Sequence, residues 1–300
     1  MKSLVTGGAG FIGSHIVEHL LEAGHEVVVV DNESSIDAST FHWNSQCINY
    51  KKDITNRLEI SEVFESHNFD YVFHLAALTR IVPAMNDPAT TLWANYVGTL
   101  NILELSRQCN IRRVIFSSSS SIYGTQEIPY SETATPSCLN PYALSKLQGE
   151  SLCAHYSEVF GLDTVCLRYF NVFGERMPEQ GQYAPVVAIF LRQLSEDVKL
   201  TVVGDGLQKR DFVYVKDVAL ANVNVALRDS NFGGRFMNVG STKMVSVLDI
   251  AKIISDDYTH IPSRKGDAQN TQADITIISE EIGWAPTVDV VSWVKEALNQ

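Results

Sequence analysis

The chain has 300 residues, 45% hydrophobic and 19% charged, with a net charge of -12. It is long enough to bury a large core, and its acidic balance argues against nucleic acid as the main partner. Any phosphate on a ligand must instead be met by a few placed arginines. Five cysteines, at 47, 109, 138, 153 and 166, are scattered, odd in number and without Cys-x-x-Cys spacing, which argues against a disulfide framework or a zinc site. No apolar stretch approaches the roughly 20 residues that span a bilayer. The first strand begins after two residues and leaves no room for a signal peptide, so a cytoplasmic location and no membrane partner are expected.

In chain order, Leu4-Val5 reads as a strand and is followed by Thr6-Gly7-Gly8-Ala9-Gly10-Phe11-Ile12-Gly13. Ile12, Ile16, Val17, Leu20 and Leu21 then recur at helical spacing. A strand, a tight glycine turn and a helix let the backbone approach a pyrophosphate held by amides at the helix N-terminus. The motif is weak by itself. After Gly24 comes His25 to Asp31, a buried-strand run ending in an acid. An acid about 20 residues beyond the glycines accepts from the ribose 2′-hydroxyl of NAD and repels the 2′-phosphate of NADP. His15 and His19 share a helix face, but no third ligand is evident and no metal is expected.

Further on, Asn68 to Leu75 reads as a strand, Pro88 to Cys109 as a long helix and Arg112 to Phe116 as a strand. Pro141 to Phe160 reads as a helix and Asp163 to Leu167 as a strand. This alternation predicts an α/β fold, a Rossmann-type doubly wound parallel sheet covered on both faces. Ligands are expected at the C-terminal ends of its strands. Beyond Tyr169 the rhythm changes. Pro178 to Pro185 and Gly204 to Gly206 are turn-rich, while Val215 to Leu227 and Val245 to Ile254 look helical. A dinucleotide-binding domain is expected at 1–168, with 211–240 returning to it. A smaller, interwoven substrate lobe is expected from 169–210 and 241–300.

Tyr142 and Lys146 are spaced i, i+4 in a stretch without Pro or Gly, so a helix places them on one face. An ammonium beside a phenol favours the phenolate and adapts tyrosine for acid/base work near neutral pH. The spacing alone is a weak signal. Ser119, lying before this helix, supplies a third group for a proton-transfer site beside the dinucleotide site.

The glycine motif, Asp31-Asn32, Asp53-Ile54, His74-Leu75-Ala76-Ala77, Asn95-x-x-Gly98-Thr99, Ser117-Ser118-Ser119-x-x-Ile122-Tyr123-Gly124 and Tyr142-x-x-x-Lys146 occur together. This set resembles the extended short-chain dehydrogenases/reductases over essentially the whole chain. The resemblance implies that Tyr142 is the acid/base, that Lys146 binds the nicotinamide ribose and lowers the tyrosine pKa, and that Ser119 hydrogen-bonds the reacting hydroxyl. It implies NAD as cofactor, held by Gly7, Gly10, Phe11, Ile12, Gly13, Asp31, Asn32, Asp53, Ile54, Leu75, Ala76, Ala77, Asn95, Tyr142 and Lys146. Asp53 and Ile54 are expected at the adenine, and Asn95 in a supporting role near the lysine.

Arg168-Tyr169-Phe170-Asn171, the run from Gly204 to Val218 with its Gln208-x-Arg210-Asp211, and Arg264-x-Gly266-Asp267 are similar to the nucleotide-sugar branch of that family. The usual Thr between Gln and Arg is Lys209 here. By resemblance, Thr79, Ser119, Asn171, Arg210, Arg264, Asp267 and Thr271 bind a UDP-sugar. Asn171, Arg210 and Arg264 engage the diphosphate, for which a planar fork of donors is suited. Dehydrating relatives carry an Asp-Glu pair directly after the active-site Ser or Thr, whereas this chain has Ser120-Ser121. The expected reaction is therefore 4-epimerisation of a UDP-sugar through a 4-keto form. Decarboxylation or 4,6-dehydration of a nucleotide sugar is the competing reading, and a non-catalytic NAD-sensing protein is a third. In the 4-epimerases, the position four after the aspartate of Arg-x-Gly-Asp decides whether a C2 acetamido group fits. Thr271 is small enough to admit UDP-N-acetylglucosamine and UDP-N-acetylgalactosamine, and UDP-glucose/galactose and UDP-uronic acids stay open. The two long helices, by the same resemblance, predict a homodimer.

Overall fold

The computed structural model describes residues 1–34, 41–180, 184–263 and 268–299. In chain order the first half contains β1 (Lys2–Thr6), α1 (Phe11–Glu22), β2 (Glu26–Asp31), β3 (Ile48–Lys51), α2 (Arg57–Ser66), β4 (Tyr71–His74), α3 (Ile81–Asn86), α4 (Pro88–Gln108), β5 (Arg113–Ser119), α5 (Pro141–Phe160) and β6 (Thr164–Tyr169). A 3-10 turn, Ser120–Tyr123, follows β5. The second half contains β7 (Asn171–Phe173), α6 (Val186–Ser195), β8 (Leu200–Val203), β9 (Lys209–Tyr214), α7 (Val215–Leu227), β10 (Arg235–Val239), β11 (Met244–Ser246), α8 (Val247–Ile254), β12 (Tyr258–Ile261), α9 (Thr276–Ile282) and α10 (Val290–Ala297).

Seven strands form one parallel sheet in the order β10-β6-β5-β4-β1-β2-β3. The order reverses between β1 and β4, where a doubly wound sheet opens its ligand crevice. Both faces are covered because successive apolar residues of the strands point to opposite sides of the sheet. Val5, Val27, Val29, Phe73, Ile115 and Leu167 pack with α1 and α7 residues such as Ile16, Leu20 and Val218. Leu4, Val28, Val30, Val72, Phe116 and Cys166 pack on the other side with Ile60, Ile102 and Cys153 from α2, α4 and α5. The Rossmann-type sheet read from the sequence is therefore present.

The two long helices start where their residues dictate. Asp87 and Asn140 each accept an amide of the first turn, and Pro88 and Pro141 occupy the first helical position. Gly161 ends α5 in the left-handed conformation. Several bounds differ from expectation, including strand ends that run on to Ser119 and Tyr169. The strand expected from Asn68 begins at Tyr71, and the helix expected from Val245 begins at Val247. Ser246 caps α8 by accepting from the Asp249 amide, while Met244–Ser246 pairs antiparallel with β9. Two small sheets, β11-β9-β7 and β12-β8, carry a third core with α6, α8 and α10. Strand β10 crosses back into the main sheet beside β6.

Candidate active site

The glycine turn is shaped by close approach. Gly7 sits at φ +71°, and a Cβ there would come within 2.7 Å of the Ala76 nitrogen. A Cβ on Gly13 would lie 2.1 Å from the Gly7 carbonyl oxygen. Only glycine fits both places. Gly10 is the N-cap of α1 and offers no side-chain oxygen to the first-turn amides, which suits an anion at that helix end. Beside it, Asp31 accepts from the Ala9 amide (3.2 Å) and the Glu33 amide (2.9 Å). Burial pushes the Asp31 carboxyl above its ordinary range, and these amides oppose the shift. Asp53 accepts from the Asn32 side-chain Nδ2 (2.9 Å), the Thr55 backbone amide (2.8 Å) and the Thr55 hydroxyl (2.7 Å). Burial opposes its ionisation, but these bonds outweigh it and hold the carboxyl below the usual range.

His74, at the end of β4, lies within 2.7 Å of Thr6 Oγ1 through Nδ1 and 3.0 Å of Thr99 Oγ1 through Nε2. Since the Thr99 hydroxyl donates to the Asn95 carbonyl (2.7 Å), it accepts from Nε2–H, leaving Nδ1 to accept from Thr6. Burial, aided by the charge of Lys146, pushes the imidazole pKa down to about 3, so this histidine is a neutral strut. Asn95 accepts from the Leu78 amide (2.7 Å) and donates to the Leu78 carbonyl (2.9 Å) and to Ser145 Oγ (2.8 Å). Ser145 in turn donates to the Tyr142 carbonyl (2.8 Å). Asn95 thus ties the loop after β4 to the first turn of α5. It is not among the described residues that line the cleft.

Lys146 is buried, with Nζ donating to the Ser117 carbonyl at 2.7 Å and lying 5.0 Å from the centre of the Phe116 ring. Burial lowers its pKa to about 8. Tyr142, one turn earlier, is half-buried and hydrogen-bonded to Ser119. Burial raises the phenol pKa, while the Ser119 bond and the charge of Arg80 pull it down. The cation expected to act on the phenol was Lys146. In the structure the lysine ammonium donates to the Ser117 carbonyl, and the charge of Arg80 also acts on the phenol. Ser119 also accepts from the Ser121 amide (3.2 Å) and hydroxyl (2.9 Å), capping the 3-10 turn.

A buried ion pair stiffens the strand end behind these groups. Arg168 donates to both oxygens of Glu150 (2.8 and 2.7 Å) and to Tyr123 Oη (2.8 Å), and Ser118 donates to Glu150 (2.6 Å). Such a pair, satisfied at each end, fixes geometry more than it adds stability.

One cleft of about 940 Å³ joins the expected cofactor and substrate residues. Its walls include Gly7, Gly10, Phe11, Ile12, Gly13, Asp31, Asn32, Asp53, Ile54, Leu75, Ala76 and Ala77. They also include Ser119, Tyr142 and Lys146, and on the substrate side Thr79, Asn171, Arg210 and Thr271. Arg210 donates to the Lys209 and Gln269 carbonyls (both 3.0 Å). Thr271 accepts from the Asp211 amide (3.2 Å), and its own amide donates to the Lys209 carbonyl (3.1 Å). Arg264 and Asp267 lie outside the described residues. Among the described residues lining the cleft, the carboxylates are Asp31 and Asp53. Sequence reasoning missed Arg80 and the α6 face of Val186, Val187, Ile189 and Phe190. The apolar run from Val186 marked a helix, but nothing in it distinguished a cleft wall from an ordinary core face.

Residues 3–240 match the model of the NAD dependent epimerase/dehydratase family. The chain belongs to that family. It is 34% identical over 304 residues to a putative UDP-glucose 4-epimerase of Methanocaldococcus jannaschii, covering 99% of this chain and 97% of that protein. Among solved structures, UDP-glucose 4-epimerase from Thermotoga maritima with UDP-glucose is similar at a TM-score of 0.93 and 33% identity, over 100% of this chain and 98% of that one. The Thermus thermophilus UDP-glucose 4-epimerase complex with NAD is similar at a TM-score of 0.91 and 31% identity, over 100% and 98%. As a member of the family the chain is an NAD-dependent enzyme, and its glycine cradle and uncapped α1 terminus fit a dinucleotide. No helix among the described residues is long and apolar enough to cross a membrane.

Proposed function

We propose that this enzyme is a UDP-sugar 4-epimerase. The observation that carries the reading is the composition of the cleft's catalytic end. Ser119 and Tyr142 are hydrogen-bonded there, and the lining carboxylates among the described residues, Asp31 and Asp53, belong to the Gly7–Gly13 side of the cleft. A hydroxyl can be deprotonated and reprotonated at such a site, but no acid among the described lining residues stands ready there to expel water from C5–C6. The names of the Methanocaldococcus and Thermotoga relatives agree with it.

NAD, when bound, supplies reversible oxidation at C4 of the sugar. Gly7, Gly10 and Gly13 leave room for its pyrophosphate, and Asp31 still has lone pairs for the ribose beyond its two amide bonds. Tyr142 Oη takes the proton of the 4-hydroxyl and returns it to the oxygen of the inverted sugar. Ser119 Oγ orients the phenol and that oxygen, while Lys146 holds the strand end through the Ser117 carbonyl. Arg210 and Asn171 anchor the diphosphate together with Arg264, and Asp267 accepts from a ribose hydroxyl. Rotation of the sugar about this anchor presents its other face.

Thr271 in the cleft wall leaves space for a C2 acetamido group, so the favoured pair is UDP-N-acetylglucosamine/UDP-N-acetylgalactosamine, with UDP-glucose/UDP-galactose also accepted. The protein functions as a homodimer, joined through α4 and α5. These helices pack on each other and leave Trp93, Tyr96 and Leu144 exposed. The test is incubation of pure protein with a panel of UDP-sugars, followed by NMR and mass measurement of the products. A 4-epimer of unchanged mass supports the proposal; loss of carbon dioxide or water identifies a decarboxylase or dehydratase instead.

A further inference from the structure

Strand β5 runs out at Ser119, whose backbone is still extended (φ -150°, ψ 141°), and the chain then folds into the 3-10 turn of Ser120–Tyr123. This turn is fastened from behind. Ile122 and Tyr123 are fully buried, Arg168 donates to Tyr123 Oη, and Tyr123 Oη donates to Asn238 Oδ1 (2.7 Å). The Ser137 amide donates to the Ile122 carbonyl (2.8 Å). Ser121 is thereby held with both of its donors on one atom: its amide (3.2 Å) and its hydroxyl (2.9 Å) donate to Ser119 Oγ. Ser119, Ser121 and Tyr142 all line the cleft.

A hydroxyl oxygen offers two lone pairs and one hydrogen. Ser121 occupies both lone pairs of Ser119, so toward any further partner Ser119 can only donate. That partner is Tyr142, to which Ser119 is hydrogen-bonded. The phenol oxygen therefore accepts. Without the Ser121 hydroxyl, Ser119 would have a lone pair to spare and could equally accept from the neutral phenol, which would favour the protonated tyrosine. A donor aimed at an oxygen binds its anion more strongly than its neutral form. The anion is the form in which a tyrosine takes the proton of a sugar hydroxyl.

We infer that Ser121 is a positioning residue: its amide and hydroxyl together commit the one hydrogen of Ser119 to Tyr142 Oη, and so favour the proton-accepting form of the tyrosine. The inference rests on the 4-epimerase reading for the proton that Tyr142 takes. Ser119 and Tyr142 meet the reacting hydroxyl, and Ser121 acts through Ser119.

The test follows the ultraviolet absorbance of ionised tyrosine against pH in the NAD-loaded protein. Each variant is compared with its own Tyr142→Phe counterpart to isolate this phenol, and pH profiles of turnover are measured on UDP-N-acetylglucosamine and UDP-glucose. Ser121→Ala keeps the backbone amide and removes the hydroxyl. It should move the Tyr142 titration upward by about one pH unit. Turnover near neutral pH should fall about 10-fold with KM little changed, and the loss should shrink as pH rises. The charge of Arg80, which acts on the phenol from the loop before α3, and Lys146, one turn on in α5, are unchanged by this substitution. Ser121→Thr retains a hydroxyl and should keep the parent titration. Ser121→Ala added to Ser119→Ala should shift the titration no further than Ser119→Ala alone. An unmoved titration in Ser121→Ala, a shift that survives undiminished in the Ser119→Ala background, or a turnover loss equal at every pH would each overturn the inference. A serine that merely capped the turn would lower the melting temperature and move none of these readings. Formation of a 4-epimer with an unmoved titration defeats the inference and leaves the epimerase reading standing. The expected titration shifts with no 4-epimer formed do the reverse.

Discussion

The two ends of the cleft are built differently. At the end formed by the parallel sheet, the polar groups are held by contacts within the wall itself. Asp31 is fixed by two backbone amides, Asp53 by three donors, His74 by two threonines and Lys146 by a strand carbonyl. At the other end Asn171 is exposed on the three-residue strand β7, and Arg210 and Thr271 meet where β9 runs beside a non-helical segment. A preorganised end performs the same step on every substrate. The other end, which carries the exposed Asn171, can vary with the sugar. Substitutions at the first end should therefore damage all activities alike, and substitutions at the second should redistribute activity among sugars.

The largest effect is expected at Gly13. A valine there puts a branched side chain where even a Cβ would sit 2.1 Å from the Gly7 carbonyl. Gly13→Val should abolish NAD retention, read by the absorbance and mass of the purified protein, and lower the melting temperature. Retention of NAD by this variant would mean that the turn relaxes more easily than its geometry implies. Next comes Tyr142→Phe, which removes the proton carrier but none of the wall. Turnover should fall at least about 100-fold on every UDP-sugar with affinity little changed. A loss confined to one sugar would break the division between the two ends.

Lys146 gives a prediction with a definite sign. Its folded pKa of about 8 lies below the ordinary 10.5, so between these values the unfolded chain binds more protons than the folded one. Stability attributable to this group is fully present above 10.5 and is lost as pH falls toward 8. Thermal melts should accordingly show a rising contribution from pH 8 to 10.5, on the order of a few kcal/mol, which Lys146→Met flattens while abolishing turnover. His74, depressed to about 3 from 6.5, acts in a separate window. Its contribution is present above 6.5 and is lost as pH falls toward 3. An unchanged alkaline slope in Lys146→Met would show that the ammonium is better solvated than its burial indicates.

Legibility in the sequence follows the same division. The sheet was readable because both of its faces are buried, so Val27 to Val30 and Val114 to Phe116 are unbroken apolar runs, and because Pro88 and Pro141 mark helix starts. That Tyr142 and Lys146 share one cleft wall was readable because a helix puts them on one side. What the spacing could not supply was the direction of each charged group. Lys146 donates to a backbone carbonyl, and the charge of Arg80, 62 residues earlier in the chain than Tyr142, also acts on the phenol. Strands β7, β8, β11 and β12 span three or four residues and carry no period long enough to read. The β9 register that brings Lys209 beside Asn270 joins segments about 60 residues apart, and only tertiary packing specifies that.

The smallest and most selective effect is expected at Thr271, where the comparison can be sharpened. Thr271→Tyr fills cleft space beside the substrate, so turnover of UDP-N-acetylhexosamines should fall on the order of 10- to 100-fold while UDP-glucose/galactose is spared. The substitution has a second consequence, because Thr271 Oγ1 accepts from the Asp211 amide and a tyrosine cannot place its hydroxyl there. Asp211 itself accepts from the Ser241, Thr242 and Ala273 amides, so a shifted β9 could disturb the pocket for every sugar. Thr271→Val separates the two effects. It removes the oxygen at nearly constant size, and should cost about 1 kcal/mol of stability without altering the ratio of activities on acetamido and hydroxyl sugars. If valine moves that ratio as much as tyrosine does, the hydroxyl and the β9 position govern sugar choice, and the space beside C2 does not.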